Sequence, residues 1–158
     1  METELQTAAS PLEKINVLLI GNNPIELSRV FDALSEIKGK SVMTEIAFDL
    51  ESILHRLARF RPEYILIDDN IGKLEMKSAV GALLSLRKTK DIPITVLKNS
   101  NYREALSTGF LNYILKENIS AETLYRELVN SLKLRKTQLY LNSAYNKRKG
   151  QLMRMMSF

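Results

Sequence analysis

The chain has 158 residues, of which 45% are hydrophobic and 26% charged, with 6 Gly and 4 Pro, a composition that excludes disordered, collagen-like and low-complexity proteins. It has no Cys and 1 His, which excludes disulfides and thiolate chemistry and argues against His-rich metal sites. The net charge is +5, but seven bases and no acid lie from Leu128 onward, leaving 16 bases against 18 acids in residues 1–127. The positive charge therefore belongs to a tail, which either binds polyanions or stays solvated.

The apolar runs are short. The longest, such as Val17–Ile20 and Tyr64–Ile67, fall far below the ~20 residues that a membrane span needs. The acidic start, with Glu2 and Glu4, lacks the basic-then-apolar order of a signal peptide. We therefore expect a cytoplasmic protein without a membrane span.

Strands and helices are predicted to alternate along the chain. Residues 1–14 show no periodic pattern and are expected to form a flexible lead-in. From residue 15, β-rich apolar runs alternate with stretches whose apolar residues recur three and four apart, which is typical of amphipathic helices. The predicted strands are Asn16–Ile20, Val42–Phe48, Tyr64–Ile67, Ile94–Leu97 and Leu111–Leu115.

Five helices are predicted between and after these strands. The first begins at Asn23-Pro24, with Asn23 as its cap and Glu26 as a capping-box acid. The second begins at Asp49, the third lies around residues 76–84, the short fourth covers residues 101–108 and the fifth starts at Ser120. The residues predicted to face the core in the first three are Leu27, Val30, Phe31 and Leu34; Leu50, Ile53, Leu54 and Leu57; and Met76, Ala79, Val80, Leu83 and Leu84.

Near-continuous apolar strands separated by helices predict a parallel sheet covered on both faces. The expected fold class is α/β, a doubly wound, flavodoxin-like sheet of five strands in the order 2-1-3-4-5, with an extended C-terminal helix. In this order, sites gather where the chain leaves the carboxyl ends of the strands. The residues at those ends are Gly21, Asn22 and Asn23; Asp68, Asp69 and Asn70; Lys98 and Asn99; and Lys116 and Glu117.

Four segments in register resemble the receiver domain of two-component response regulators, the CheY-like family, across residues 15–135. They are Arg61–Asp68, Asp91–Ile94, Ala105–Gly109 and Tyr113–Lys116. The resemblance implies that Asp68 occupies the phosphoacceptor position, that Lys116 is the family's lysine and that Tyr113 is its switch aromatic. It also implies a signalling protein or a histidine kinase as partner.

Four positions depart from the family pattern. Gly21 and Asn22 stand where the family has an acidic pair, Lys98 stands in place of Ser or Thr, and Glu117 replaces the proline that usually follows the lysine. Attack of a carboxylate on phosphorus needs a divalent cation held by hard oxygen ligands, and Asp68 would be its only remaining acid ligand. The chain therefore resembles the degenerate, pseudo-receiver branch, for which neither a metal nor another cofactor is expected.

Charge supports the same interpretation. Asp68 with Lys98 and Lys116 sums to +1, or to zero if Asp69 turns inward, so we expect a pocket balanced without metal, in which a lysine pairs with Asp68. The predicted function is a non-enzymatic signalling module that acts by protein–protein interaction. The alternative is a phosphoaccepting response regulator that uses Asp68 and Mg²⁺ in a phosphorelay.

Residues 136–158 are predicted to form a basic tail, helical or flexible. A heptad-like seam runs into it through Leu124, Leu128, Leu132, Arg135, Leu139 and Asn142, which indicates either a weak coiled coil or partner-bound helix, or a solvated extension. We expect a homodimer or partner complex built on the fourth predicted helix, the fifth strand and the fifth helix. The tail is too short for a DNA-binding domain, so nucleic acid is not expected as a partner. Its bases and Met residues suit a protein or membrane-surface contact, or neither.

Overall fold

Five parallel strands form one sheet in the order β2-β1-β3-β4-β5. The computed structural model describes residues 12–99 and 112–156. Within them the strands are β1 (Glu13–Ile20), β2 (Lys40–Ala47), β3 (Tyr64–Asp68), β4 (Ile94–Lys98) and β5 (Asn112–Leu115). The predicted doubly wound α/β order is therefore confirmed.

Four α-helices lie in the described residues. They are α1 (Pro24–Ser35), α2 (Leu50–Leu57), α3 (Lys73–Ser85) and α4 (Ala121–Met156), and single 3₁₀ turns follow β3 and β5 at Asp69–Ile71 and Lys116–Asn118. The fourth predicted helix, residues 101–108 with Gly109, lies outside the described residues. The helix named α4 here is thus the fifth predicted one.

The core has two halves, one on each face of the sheet, because successive strand side chains point to opposite sides. On one face, Ile20 and Ile67 pack against α2 and α3. On the other, Leu19 and Leu66 pack against α1 and α4. The sequence analysis placed too many residues on the core-facing sides of the helices. Phe31, Leu54 and Leu84 were predicted to face the core, but they lie at its edge and are exposed.

Register brings the strand ends to a common edge. Ile20 of β1 pairs with Ile67 of β3, Asp68 pairs with Leu97 of β4, and Lys98 pairs with Leu115 of β5. Since all strands are parallel, their carboxyl ends face the same way. The segments that follow Ile20, Ile67, Leu97 and Leu115 therefore surround one site.

α4 has 36 residues and continues past the predicted domain boundary at residue 135. Leu124 and Leu128 are buried in the core, and Leu132 packs against it. Leu128 of the predicted seam therefore faces the core of the domain and not another chain, and Leu132 is partly covered by the same core. Arg135 forms an ion pair with Asp91 in the loop before β4.

No helix in the described part of the chain is long and apolar enough to span a membrane.

Candidate functional site

Asp68 and Lys116 form a buried ion pair at the carboxyl edge of the sheet. Asp68 ends β3 and is 0% exposed, and Lys116 directly follows β5 and is 8% exposed. Lys116 Nζ lies 2.5 Å from Asp68 Oδ1. The expected pairing of a lysine with Asp68 is therefore present, and Lys116 makes it.

Glu26 is a third member of this site, and the sequence analysis missed it. Its Oε2 lies 2.5 Å from Lys116 Nζ. Glu26 was predicted to be a capping-box acid, but Asn23 caps α1 by accepting hydrogen bonds from the backbone N–H groups of Ile25 and Glu26, and the Glu26 side chain turns toward the pocket. Its position in the first turn after β1, beside the topological switch point, was the available signal.

A hydrogen-bonded layer holds the carboxylates in place. The Asn70 backbone N–H donates to Asp68 Oδ1 at 2.9 Å, and Asn70 Nδ2 donates to Glu26 Oε2 at 2.5 Å. Asn99 Nδ2 donates to Asn70 Oδ1 at 2.7 Å, and its backbone N–H donates to Asp69 Oδ2 at 3.2 Å. The network joins α1 and the ends of β3 and β4 to Lys116.

Gly21 is buried and lies against Asp68. A Cβ atom at this position would sit 2.7 Å from Leu27 Cδ2 and 3.0 Å from Asp68 Cβ, closer than packed carbon atoms approach. The space beside Asp68 at the end of β1 is thus filled by an apolar side chain of α1. Asn22, the next residue, is exposed.

Lys98 does not form the predicted pair with Asp68. Its Nζ lies 4.1 Å from the centre of the Tyr113 ring, whereas the ion pairs of Asp68 in the described residues are made by Lys116. Alternation explains the difference: Asp68 pairs with Leu97 and shares its face, so Lys98, one residue on, points to the opposite face. Tyr113 is 41% exposed, and Glu117 is exposed in the 3₁₀ turn.

The charge of the pocket also differs from the predicted value. Lys98 is outside it and Glu26 is inside, and Asp69 Oδ1 lies 3.4 Å from Lys116 Nζ. Three carboxyl groups therefore surround one ammonium group. The pocket carries excess negative charge when all of them are ionised.

The pKa values of these groups respond to that crowding. Burial raises the pKa of Asp68, against the lowering effect of Lys116. The hydrogen bond from Lys116 lowers the pKa of Glu26. For Lys116, burial lowers the pKa, but the bonds to Asp68 and Glu26 together raise it above its ordinary value. Excess negative charge in the pocket is thus relieved most readily by a proton on Asp68.

Lys116 lies between the carboxyl groups of the pocket. The carboxylate oxygens of Glu26 and Asp68 converge on its Nζ atom. Across residues 12–99 and 112–156, no group of three or more His, Cys, Asp or Glu side chains is placed to hold a metal.

Solved structures with the same fold are receiver domains. The receiver domain of the sensor histidine kinase PA1611 from Pseudomonas aeruginosa PAO1, solved with magnesium in its active-site cleft, has 18% identity and a TM-score of 0.64, covering 76% of this chain and 98% of that one. CheY4 of Vibrio cholerae has 21% identity and a TM-score of 0.58, covering 75% and 98%. A CheY-like receiver protein from Methanospirillum hungatei JF-1 has 17% identity and a TM-score of 0.62, covering 80% and 99%.

No protein-family model and no curated protein matches the sequence. The chain has the receiver fold, as the four sequence segments implied.

Proposed function

We propose that the chain is a receiver-like signalling module that acts by protein–protein interaction and not by metal-dependent phosphorylation. The observation that carries this proposal is the packing at Gly21. The position that would present a carboxylate beside Asp68 is occupied by the Leu27 side chain, and Asn22 offers a neutral, exposed amide. An apolar group there cannot hold a hard cation.

The contacts of Lys116 support the same proposal. Its ammonium group binds Asp68 and Glu26 at 2.5 Å each, so a cation of the protein itself already neutralises the acceptor carboxylate. An incoming phosphoryl group would bring further negative charge to a pocket that has three carboxyl groups and one lysine. Without a divalent cation that approach is opposed by charge repulsion.

One observation favours the alternative, a phosphoaccepting regulator. Asp68 Oδ2 is buried and has no hydrogen-bond partner in the described residues, and a phosphoacceptor needs one free oxygen atom for the attack. Glu26 could then replace a missing acid as a cation ligand. This alternative requires that Lys116 move out of the centre of the pocket.

Magnesium titration followed by backbone amide shifts separates the two functions. We expect no saturable shifts at Asp68, Lys116 or Glu26 at millimolar Mg²⁺. Saturable shifts that vanish in Glu26→Gln would establish the alternative. A matched control is Glu75→Gln, which removes an acid from the first turn of α3.

The expected partner is a signalling protein or a histidine kinase in the cytoplasm, and the module itself catalyses no reaction. A homodimer would have to use exposed residues, such as Tyr113 on β5, since Leu128 lies in the core. Neither the partner complex nor the homodimer requires Asp68, so we expect Asp68→Ala to leave both assemblies unchanged.

A further inference from the structure

The distal part of α4, residues 136–156, is exposed along its whole length and is not buried against the described part of the domain. From Lys136 to Met156 the side chains are exposed, with Gly150 half-buried. These 21 residues correspond to about 30 Å of helix at 1.5 Å per residue. The last described side-chain anchor of α4 to the domain is the ion pair of Arg135 with Asp91.

An apolar stripe begins at Leu134, two residues before this distal part, and runs along it. Its members lie seven or four residues apart, which places them on one side of an α-helix. Their side chains are between 55% and 70% exposed. The stripe consists of Leu134, Leu141, Tyr145, Leu152 and Met156.

Bases border the stripe. Arg148 and Lys149 lie three and four residues after Tyr145 and flank the stripe on its two sides. Lys136, Lys147 and Arg154 each lie two residues after a stripe member, on the far side of the helix. No acidic residue occurs after Glu127. A surface that complements this helix is therefore apolar where it contacts the stripe and anionic where it meets the flanking bases.

We propose that the distal half of α4 binds the surface of an anionic lipid bilayer, lying in the plane of the headgroups. The stripe would face the acyl chains, while Arg148 and Lys149 extend sideways to the phosphates. Bases on the far side still feel the surface, because the helix is about 10 Å wide and the Debye length is of the same order. This location goes beyond the proposed interaction with a protein partner.

Other occupants fit less well. A second copy of the helix would bring the same bases together with no acid from either chain after Glu127, and like charges repel. A nucleic acid would suit the bases but would leave Leu141, Tyr145 and Leu152 uncovered. An anionic lipid surface complements both the apolar stripe and the positive charge of the bases.

The test is flotation of the full chain with vesicles of phosphatidylcholine containing about 30% phosphatidylserine, an anionic surface of the kind that attracts basic helices. We expect binding to these vesicles, weaker binding at high salt and no binding to pure phosphatidylcholine. Leu141→Asp should lower the affinity at least about ten-fold, because it removes from the stripe a leucine that the bilayer would bury. The matched control is Leu139→Asp, which makes the same charge change two residues away, off the stripe.

Basic residues are tested in the same way. Arg148→Gln with Lys149→Gln should weaken vesicle binding by about 30-fold, as expected for two bases near an anionic surface. The control, Lys38→Gln with Lys77→Gln, makes the same change in net charge on the receiver body and should have little effect. Equal losses from Leu141→Asp and Leu139→Asp, or no binding to the anionic vesicles, would overturn the proposal. Binding of duplex DNA that Leu141→Asp leaves unchanged, or a dimer in lipid-free sedimentation that Leu141→Asp dissolves, would instead assign the helix to that occupant.

Discussion

The side chains of Asp68 and Lys98 leave neighbouring strands on opposite faces of the sheet. Asp68 shares its face with Leu97, and Lys98 lies over the Tyr113 ring. Lys116, which follows β5, is on the Asp68 side and makes the ion pair. Two lysines that look equivalent in the sequence therefore have different roles: one neutralises a buried carboxylate and the other covers a half-exposed ring.

This difference predicts unequal costs for removing each lysine. Lys116→Met leaves Asp68 and Glu26 without their buried cation, so the free energy of unfolding at neutral pH should fall by about 3 to 5 kcal/mol. Lys98→Met loses, besides its other contacts, a cation–ring contact worth about 0.5 to 1 kcal/mol, and it leaves the ion pair of Asp68 with Lys116 in place, so its loss should be the smaller one. Urea denaturation of both variants measures the two losses, and equal losses would contradict the separation of roles.

Stability should depend on pH with opposite signs at Asp68 and Glu26. The raised pKa of Asp68 means that its stabilising contribution is present below the ordinary aspartate pKa of about 3.9 and is lost as pH rises through the folded value. The lowered pKa of Glu26 means that its contribution is present above about 4.3 and is lost as pH falls.

Single variants separate these two effects. From about pH 3 upward, the stability of the parent relative to Asp68→Asn should decrease, and its stability relative to Glu26→Gln should increase. Denaturant unfolding at a series of pH values measures both differences. If the two differences change in the same direction, the assignment of the pKa shifts is wrong.

The packing at Gly21 predicts a cost for any side chain there. Gly21→Ala places a Cβ 2.7 Å from Leu27 Cδ2 and should destabilise by about 1 to 3 kcal/mol. Combined with Leu27→Ala, the loss should be smaller than the sum of the two single losses. Gly81→Ala is the control, because no atom lies within 4 Å of its added Cβ and helix propensity favours alanine by about 1 kcal/mol. Additive losses at residues 21 and 27 would show that the two do not compete for space.

The two halves of α4 should respond differently to truncation of leucine. Leu128 is 1% exposed, so Leu128→Ala should lower the free energy of unfolding by about 2 to 5 kcal/mol. Leu141 is exposed on the distal half, and Leu141→Ala should change it by less than about 0.5 kcal/mol. Thermal unfolding monitored by circular dichroism compares them. A similar loss in both variants would mean that the distal helix packs on the domain.

The sequence predicted the sheet because its signals are local. Apolar runs such as Tyr64–Ile67 and caps such as Asn23 are each readable within a few residues. The rules for parallel crossovers place helices on both faces of the sheet, and the order of strands is the one that the flavodoxin-like fold has. The pairing of Asp68 with Lys116 was expected from the resemblance to receiver domains, and the phosphoacceptor role of Asp68 stays a prediction.

Two features of the site could not be predicted in this way. The sequence allows the Glu26 side chain either to cap the first turn of α1 or to turn into the pocket. Which of the two occurs depends on where α1 places this side chain relative to Lys116. The face of the sheet on which the Lys98 side chain lies depends on the pairing register of β4, because a shift of one residue moves a side chain to the other face. Register is a property of neighbouring strands, and the sequence of β4 alone does not contain it.

The central claim is that the chain does not accept a phosphoryl group at Asp68. The most direct test is the mass of the peptide that contains Asp68, measured after incubation with acetyl phosphate and Mg²⁺. Peptide mass spectrometry would locate any acyl phosphate, with Asp68→Asn as the control. We predict that Asp68 remains unmodified, because Leu27 fills the space beside it at Gly21 and Lys116 holds its carboxylate. An acyl phosphate on Asp68 that is absent from Asp68→Asn would contradict the account and establish the chain as a phosphoaccepting regulator.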